Sequence, residues 1–594
     1  MRLERIKRVI KLIFRNLYYY RVDYIRNFAI LRLVQAFAVL PLITLLISLT
    51  MDITGVQTIT ENSIMAILTH PFAIFGILLI LLIGILFIYY EIGFLMLMAY
   101  HQQRAIPYTW KGLWKRLNQK VVYFISIQTL LIVVYSLLLI PLISSILPIS
   151  LLQNLQIPRF IVDELLSSRD GTILYVAVIA VLGFIGLRFI FSWPFFVVYQ
   201  WMSIWEAMKL SWQFSKKKLI ETLGMLGFIL VVHVSLLLAS LVVVFIPLLV
   251  IEKVIPSWSL VTAGFTLTLA QGVILVFFFI LQIIFSQLLV MVSFQLTHDK
   301  PLIVQEESFR LTIRQWSLLI MIYAFFLVSG INIVNLEKTV YEPDTLVIAH
   351  RGFMERGVEN TISSIEASAK AGAEMVEIDI QQTKDGQFVV FHDATLSRLA
   401  GKSGTVSDMT LDELVGVTVS AGGLSDTIPS LEQVLEVSRQ LKIKLLIEIK
   451  THGKETDDFL QRFVTLLDDV EALDVHYVQS LDLPVMAELE ALEPRVITGL
   501  VFAIAYGTLP KTDADFIAVE QSFATGRIQD QIHAANKKLF VWTVNEERGL
   551  QRYYEQNIDG IITNHPDVAN EIRVTFDEKK NFVRRILNKI QIIY

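Results

Sequence analysis

Apolar residues run almost unbroken over long stretches of the first 336 positions and then give way to short bursts. The long runs lie near 28–51, 71–100, 121–148, 173–198, 219–250, 259–297 and 316–336. Each approaches or exceeds the ~20 residues that cross a ~30 Å hydrocarbon core as a helix. A soluble core helix rarely stays apolar this long, so seven such runs predict a multi-span α-helical membrane bundle. Residues 259–297 are long for one crossing, since 39 helical residues reach about 58 Å. No Gly or Pro lies between Val273 and Lys300 to make a turn, so the run reads as one tilted helix.

From Leu346 the period changes. Short β-branched runs fall at 346–350, 375–380, 388–392, 444–450, 476–480, 496–501, 515–520, 539–544 and 560–564. Amphipathic stretches such as 361–371, 429–441 and 546–556 lie between them. Strand–helix alternation predicts a parallel sheet, and nine runs suit a (β/α)8 TIM barrel with one extra hairpin strand. The turn Lys384-Asp385-Gly386 makes that hairpin. The chain therefore divides into a membrane domain (1–336), an α/β barrel (337–570) and a basic amphipathic tail (571–594). In the tail, Phe582, Val583, Ile586, Leu587, Ile590 and Ile593 share one helical face. Such a helix either lies in the membrane interface or packs on the barrel's underside.

Charge divides at the same place. Residues 1–336 carry 25 Lys+Arg and 14 Asp+Glu, a net of +11. The remainder carries 26 and 41, a net of −15. Basic loops alternate with loops poor in Lys and Arg, and the first 26 residues hold eight basic side chains. The positive-inside rule puts the N-terminus in the cytoplasm, and an odd number of spans puts the barrel outside the cell. Apolar residues make up 54% and charged residues 18%, which argues against a disordered or nucleic-acid-binding chain. There is no cysteine, so disulfides, thiolate metal sites and a cysteine nucleophile are excluded. Glu91, Arg188, His233 and Gln271 fall inside predicted spans, where polar groups are either functional or internally paired.

The candidate chemistry collects at strand ends of the barrel. His350 ends the first run and His392 the hairpin run; Glu377 and Asp379 share one strand face, as do Glu448 and Lys450. The carboxyl ends of barrel strands form the catalytic rim. Inward carboxylates are costly unless paired or metal-bound, and three of them suit a hard divalent cation, Ca²⁺ or Mg²⁺. Two histidines suit acid and base work near neutral pH, and Arg351 with Lys450 suits a phosphate. Together they predict metal-assisted phosphodiester cleavage.

These residues fall in an ordered set: His350-Arg351-Gly352, Glu359-Asn360-Thr361, Glu377-Ile378-Asp379, Thr383-Lys384-Asp385-Gly386, His392-Asp393, Glu448-Ile449-Lys450, Gln479-Ser480 and Asp559-Gly560-Ile561-Ile562-Thr563. The set resembles the glycerophosphodiester phosphodiesterases over roughly 344–570. The preceding region resembles the membrane domain of some bacterial members, through its architecture and the stretch Glu206-Ala207-Met208-Lys209 with Ser211-Trp212. The resemblance implies that Glu377, Asp379 and Glu448 hold the metal and that His350 and His392 act as acid and base. It further implies that Arg351 and Lys450 bind phosphate and that Glu359 orients the site or joins the metal's shell. Val358 and Asn564-His565-Pro566 depart from the family's usual residues beside the site. Trp542 stacks on a glycerol or sugar, or is a core aromatic.

The expected substrate is a glycerophosphodiester. It is either a deacylated phospholipid headgroup or a glycerophosphate polymer such as lipoteichoic acid, cleaved at the outer face of a bacterial cell membrane. The rival reading is a lipid- or glycerophosphodiester-handling transporter whose barrel binds or presents. It rests on a bundle larger than an anchor needs.

Overall fold

The computed structural model describes residues 2–56, 58–59, 67–126, 128, 162, 165–166, 169–295, 311–337, 344–507, 509–510, 512–576 and 582–590. The chain forms two compact units. The first holds residues 1–54, 69–337 and 582–594; the second holds 55–68 and 338–581.

The first unit is a helical bundle. Its helices are α1 (Arg2–Tyr19), α2 (Arg21–Thr54), α3 (Pro71–Arg104), α4 (Trp110–Asn118), α5 (Arg169–Arg188), α6 (Ser192–Val198), α7 (Ile204–Val254), α8 (Ser259–Phe294) and α9 (Leu311–Glu337). Among the described residues five helices are long and apolar enough to cross a membrane, and Met321–Glu337 is a shorter apolar one. Most of the run expected at 121–148 lies outside the described residues. Residues 259–294 form one unbroken helix, as the absence of a turn signal requires. The sequence pattern separated a basic, Trp-containing loop from the span 219–250. The structure fuses them into the 51-residue α7, started by a reciprocal cap. Ser203 Oγ accepts from the Glu206 N–H at 3.2 Å, and the Ser203 N–H donates to the Glu206 carboxylate at 2.8 Å.

Glu91, Arg188, His233 and Gln271 each find a partner inside the bundle, which relieves the cost of burying them in hydrocarbon. Glu91 accepts from Arg32 at 2.8 Å. Arg188 donates to the Trp212 carbonyl and lies over its ring, and a His233 ring nitrogen is 2.9 Å from the Phe277 carbonyl. Gln271 accepts from Asn332 at 3.0 Å, tying α8 to α9. That crossing is close at Gly264, where a Cβ would meet Ile333 at 2.3 Å. The tail helix (Phe582–Ile590) docks on this unit, not on the barrel's underside. Ile586 is buried in a cluster with Leu241, Leu248, Leu267 and Leu336, and the Phe582 N–H caps onto Glu252 at 2.7 Å.

The second unit is a closed barrel. Its strands are β1 (Leu346–Ala349), β2 (Met375–Gln382), β3 (Phe388–Val390), β4 (Lys444–Ile449), β5 (Tyr477–Ser480), β6 (Ile497–Phe502), β7 (Phe516–Glu520), β8 (Lys538–Trp542) and β9 (Gly560–Thr563). Eight run parallel in the order β1-β9-β8-β7-β6-β5-β4-β2, and β2 closes back onto β1. β3 adds to β2 antiparallel. A two-residue strand, Thr58–Ile59, pairs antiparallel with Tyr506–Gly507 in the same unit.

Period-two alternation sorts every strand. Val376, Ile378 and Ile380 of β2, with Leu445, Ile447 and Ile449 of β4, pack outward against the helices. Ile348, Met375 and Leu446 fill the interior with Phe516 and Phe540. Two and four residues further on, the same inward face carries His350, Glu377, Asp379, Glu448 and Lys450. Residues 393–428 form a small cap whose Leu396, Leu399, Val406 and Val419 share a core with Phe391.

Candidate active site

Strand register assembles the site. Asp379 sits directly beside Glu448, Glu448 beside Gln479, and Val376 beside Ala349, which brings Glu377 next to His350. Ligand atoms of Glu377, Asp379 and Glu448 all lie within 4.8 Å of one another, and all three residues are buried. This donor set of three oxygens and three formal negative charges suits a hard divalent cation. The crowding has an electrostatic signature. Burial, then the charges of Asp379 and Glu448, push the Glu377 carboxyl well above its usual range. Burial also opposes ionisation of Asp379, but Lys450, His392 and Arg351 outweigh it and hold its pKa below the ordinary value.

Each carboxylate is oriented by neighbours. Arg351 adopts a left-handed backbone (φ 55°), which turns its N–H onto Glu377 Oε2 at 2.8 Å. Gly352 follows at φ 83°, where a Cβ would lie 2.3 Å from Ser364 Oγ, so only glycine fits this turn. Asn360, also left-handed, donates to Asp379 Oδ2 at 2.8 Å and accepts the Asp379 N–H at 2.9 Å. Gln479 donates to Glu448 Oε2 at 3.0 Å. Lys450 reaches Asp379 Oδ1 at 3.2 Å and also contacts Glu448. Burial disfavours its charge, yet these two carboxylates raise its pKa above the ordinary lysine value.

The two histidines stand in different company. His350 Nδ1 is 2.8 Å from Asn564 Oδ1, a neutral partner. Burial, then the Arg351 charge, push its pKa down to about 3. His392 Nδ1 is 2.9 Å from the Asp393 carboxylate. Burial opposes the charge on Asp393, but bonds to His392 and Arg398 hold its carboxyl below the usual range.

Glu359 lies apart from the three clustered carboxylates. It accepts from Arg351 at 3.2 Å and takes a two-pronged contact from Arg398, at 2.7 and 2.8 Å. Arg398 was not singled out from the sequence, nor were the contacts of Asn360, Gln479 and Asn564. Trp542 closes β8, half-buried against the apolar barrel interior.

Two family models match the chain. Residues 10–327 match the membrane domain of glycerophosphoryl diester phosphodiesterase, and 350–568 match the glycerophosphoryl diester phosphodiesterase family. The chain belongs to the glycerophosphoryl diester phosphodiesterase family. It is a phosphodiesterase. It is similar to a glycerophosphodiester phosphodiesterase of Caldanaerobacter subterraneus, 27% identical over 234 residues that cover 38% of this chain and 95% of that protein. A second, from Bacillus altitudinis, is 28% identical over 39% of this chain and 98% of that protein. Among solved structures, an Oleispira antarctica phosphodiesterase bound to sn-glycerol-3-phosphate is 26% identical. That match has a TM-score of 0.35 and covers 38% of this chain and 95% of that one.

Proposed function

We propose that the enzyme hydrolyses glycerophosphodiesters with a divalent cation, releasing a glycerol phosphate and an alcohol. The observation that carries this is the buried triad Glu377, Asp379 and Glu448, flanked by two histidines and two cations. The three carboxylates would hold one Ca²⁺ or Mg²⁺. Bound there, it would supply charge neutralisation at the phosphate and would make an attacking hydroxyl or water more acidic.

The chain's own groups supply the rest. Arg351 and Lys450 bind the phosphate. His350 donates Nδ1–H to the neutral Asn564 and stays uncharged, so its Nε2 lone pair takes the proton from the nucleophile. His392 is held through Nδ1 by the Asp393 carboxylate, which leaves Nε2 to serve as the donor that protonates the departing alcohol. A substrate glycerol hydroxyl or a water serves as nucleophile. Trp542 contributes an apolar wall for the glycerol.

We place the enzyme in a bacterial cell membrane with the barrel outside. Alternation of basic and non-basic loops supports this orientation. A membrane-bound hydrolase gains local concentration on a membrane-held substrate, which favours a glycerophosphate polymer such as lipoteichoic acid beside small headgroup diesters. Purified enzyme offered both glycerophosphocholine and polyglycerolphosphate tests this. Cleavage of the polymer is expected. Turnover of the small diester alone would remove the polymer from the proposal.

A further inference from the structure

The geometry points to Arg398 as a positioning residue that holds the His392–Asp393 pair in register with the phosphate-binding Arg351. This inference rests on the hydrolytic reading above and extends it to a residue in the cap.

Arg398 sits on a four-residue helix, Ser397–Ala400, in the cap that follows β3. Its guanidinium fills the gap between two carboxylates. On one side Nε and Nη2 donate to Asp393 Oδ2 and Oδ1 at 2.7 and 2.8 Å. On the other, Nη1 and Nη2 donate to Glu359 Oε2 and Oε1 at 2.8 and 2.7 Å. Asp393 in turn binds His392 Nδ1, and Glu359 binds Arg351 Nη1. One unbroken chain therefore runs His392–Asp393–Arg398–Glu359–Arg351. Its arginines and carboxylates alternate in sign, and two of its links are planar forks. Only a guanidinium can fork to two carboxylates at once, because an ammonium is a point donor on a flexible stem.

Placement rather than packing explains such an arrangement. Glu359 is nearly buried and Arg398 three-quarters buried, so the ion pairs are poorly screened and their geometry is stiff. Without Arg398, two carboxylates face each other across the gap. Asp393 is then free to rotate off His392, while Glu359 keeps its bond to Arg351. In the step concerned, the nucleophile's oxygen bonds to phosphorus and the phosphorus–oxygen bond to the alcohol breaks while His392 Nε2 passes its proton to the departing oxygen. The nucleophile's proton goes to His350. A poor leaving group needs that proton and a good one does not, so the state of His392 can be read from leaving-group dependence.

The experiment compares full-length wild type with Arg398→Ala and Arg398→Lys on glycerophosphocholine and on the 4-nitrophenyl ester of glycerol phosphate. Arg398→Ala is expected to lower kcat on the choline diester by roughly 10²–10³-fold, the span of a mispositioned general acid. The nitrophenyl ester is expected to lose less than about tenfold, since it departs without a proton. Arg398→Lys keeps charge and bulk, so it guards against loss of folding. It is expected to show the same leaving-group selectivity at reduced size. Equal losses on both substrates, or no loss, would overturn the positioning role. Wild type inactive on both esters would instead sink the hydrolytic reading on which the role depends.

Discussion

Replacing Glu377 by Gln removes one charge from the triad at nearly constant volume. Two unit charges no more than 4.8 Å apart repel by at least about 3.5 kcal/mol at an effective dielectric near 20. Arg351 and Lys450 offset part of this, so the relief lies at roughly 1–3 kcal/mol. In a barrel of this size each kcal/mol moves the melting temperature by roughly 2–4 °C. The sign with pH follows from linkage. The Glu377 carboxyl titrates well above its ordinary value in the fold, so folding favours its protonated form. The stability it contributes is present at low pH and is lost as pH rises through the raised folded value. In EDTA the wild type is therefore expected to melt progressively lower as pH rises above the ordinary glutamate range. Glu377→Gln melts higher than wild type at the upper end and varies less. Saturating Ca²⁺ or Mg²⁺ reverses the order, because an ion bound only by the folded state adds stability in proportion to the logarithm of its concentration. Tryptophan-fluorescence melts in detergent, with EDTA or with each cation, make the comparison. A Gln variant that melts below wild type in EDTA, or that gains as much from the cation, would refute the reasoning.

Asn564→Asp puts a carboxylate on His350 Nδ1 and raises the pKa of the proposed base. The acid limb of kcat/KM should move to higher pH, and an unmoved limb would show that His350 is not the base. Gln479→Leu removes the 3.0 Å hydrogen bond that orients Glu448. Apparent metal affinity should fall by roughly 10–100-fold with kcat largely recovered at saturating cation, as a cation titration of activity would show.

The barrel was legible because its strands obey a strict period. Each run read from the sequence ends within two residues of the observed strand, from 346–349 through 560–563. The same alternation placed Glu377, Asp379, Glu448 and Lys450 on one inward face, since residues two apart share a side of a strand. Arg398 escaped because it lies in an irregular cap where no period fixes a direction. Only the fold brings Glu359 across to meet it. The electrostatic distinction between the histidines was likewise hidden, because Asn564 is 214 residues from His350 in sequence. In the bundle, hydropathy marked apolar stretches but not helix ends. The polar turns of Trp205, Lys209 and Lys216 belong to the same helix as the span that follows, because no Gly or Pro lies between Ile204 and Gly224 to break the helical ladder where loop and span join. The tail helix looked equally suited to the interface and to the barrel's underside. Its apolar face packs on α7 and α8, a pairing that periodicity alone does not encode.

The most direct test of the account is alcohol release from glycerophosphocholine and glycerophosphoethanolamine by the purified full-length enzyme, with and without EDTA, for wild type and His350→Ala. The account predicts turnover that EDTA abolishes, that Ca²⁺ or Mg²⁺ restores, and that the mutation lowers by roughly 10²–10⁴-fold. Turnover indifferent to EDTA, or undiminished in His350→Ala, would contradict it.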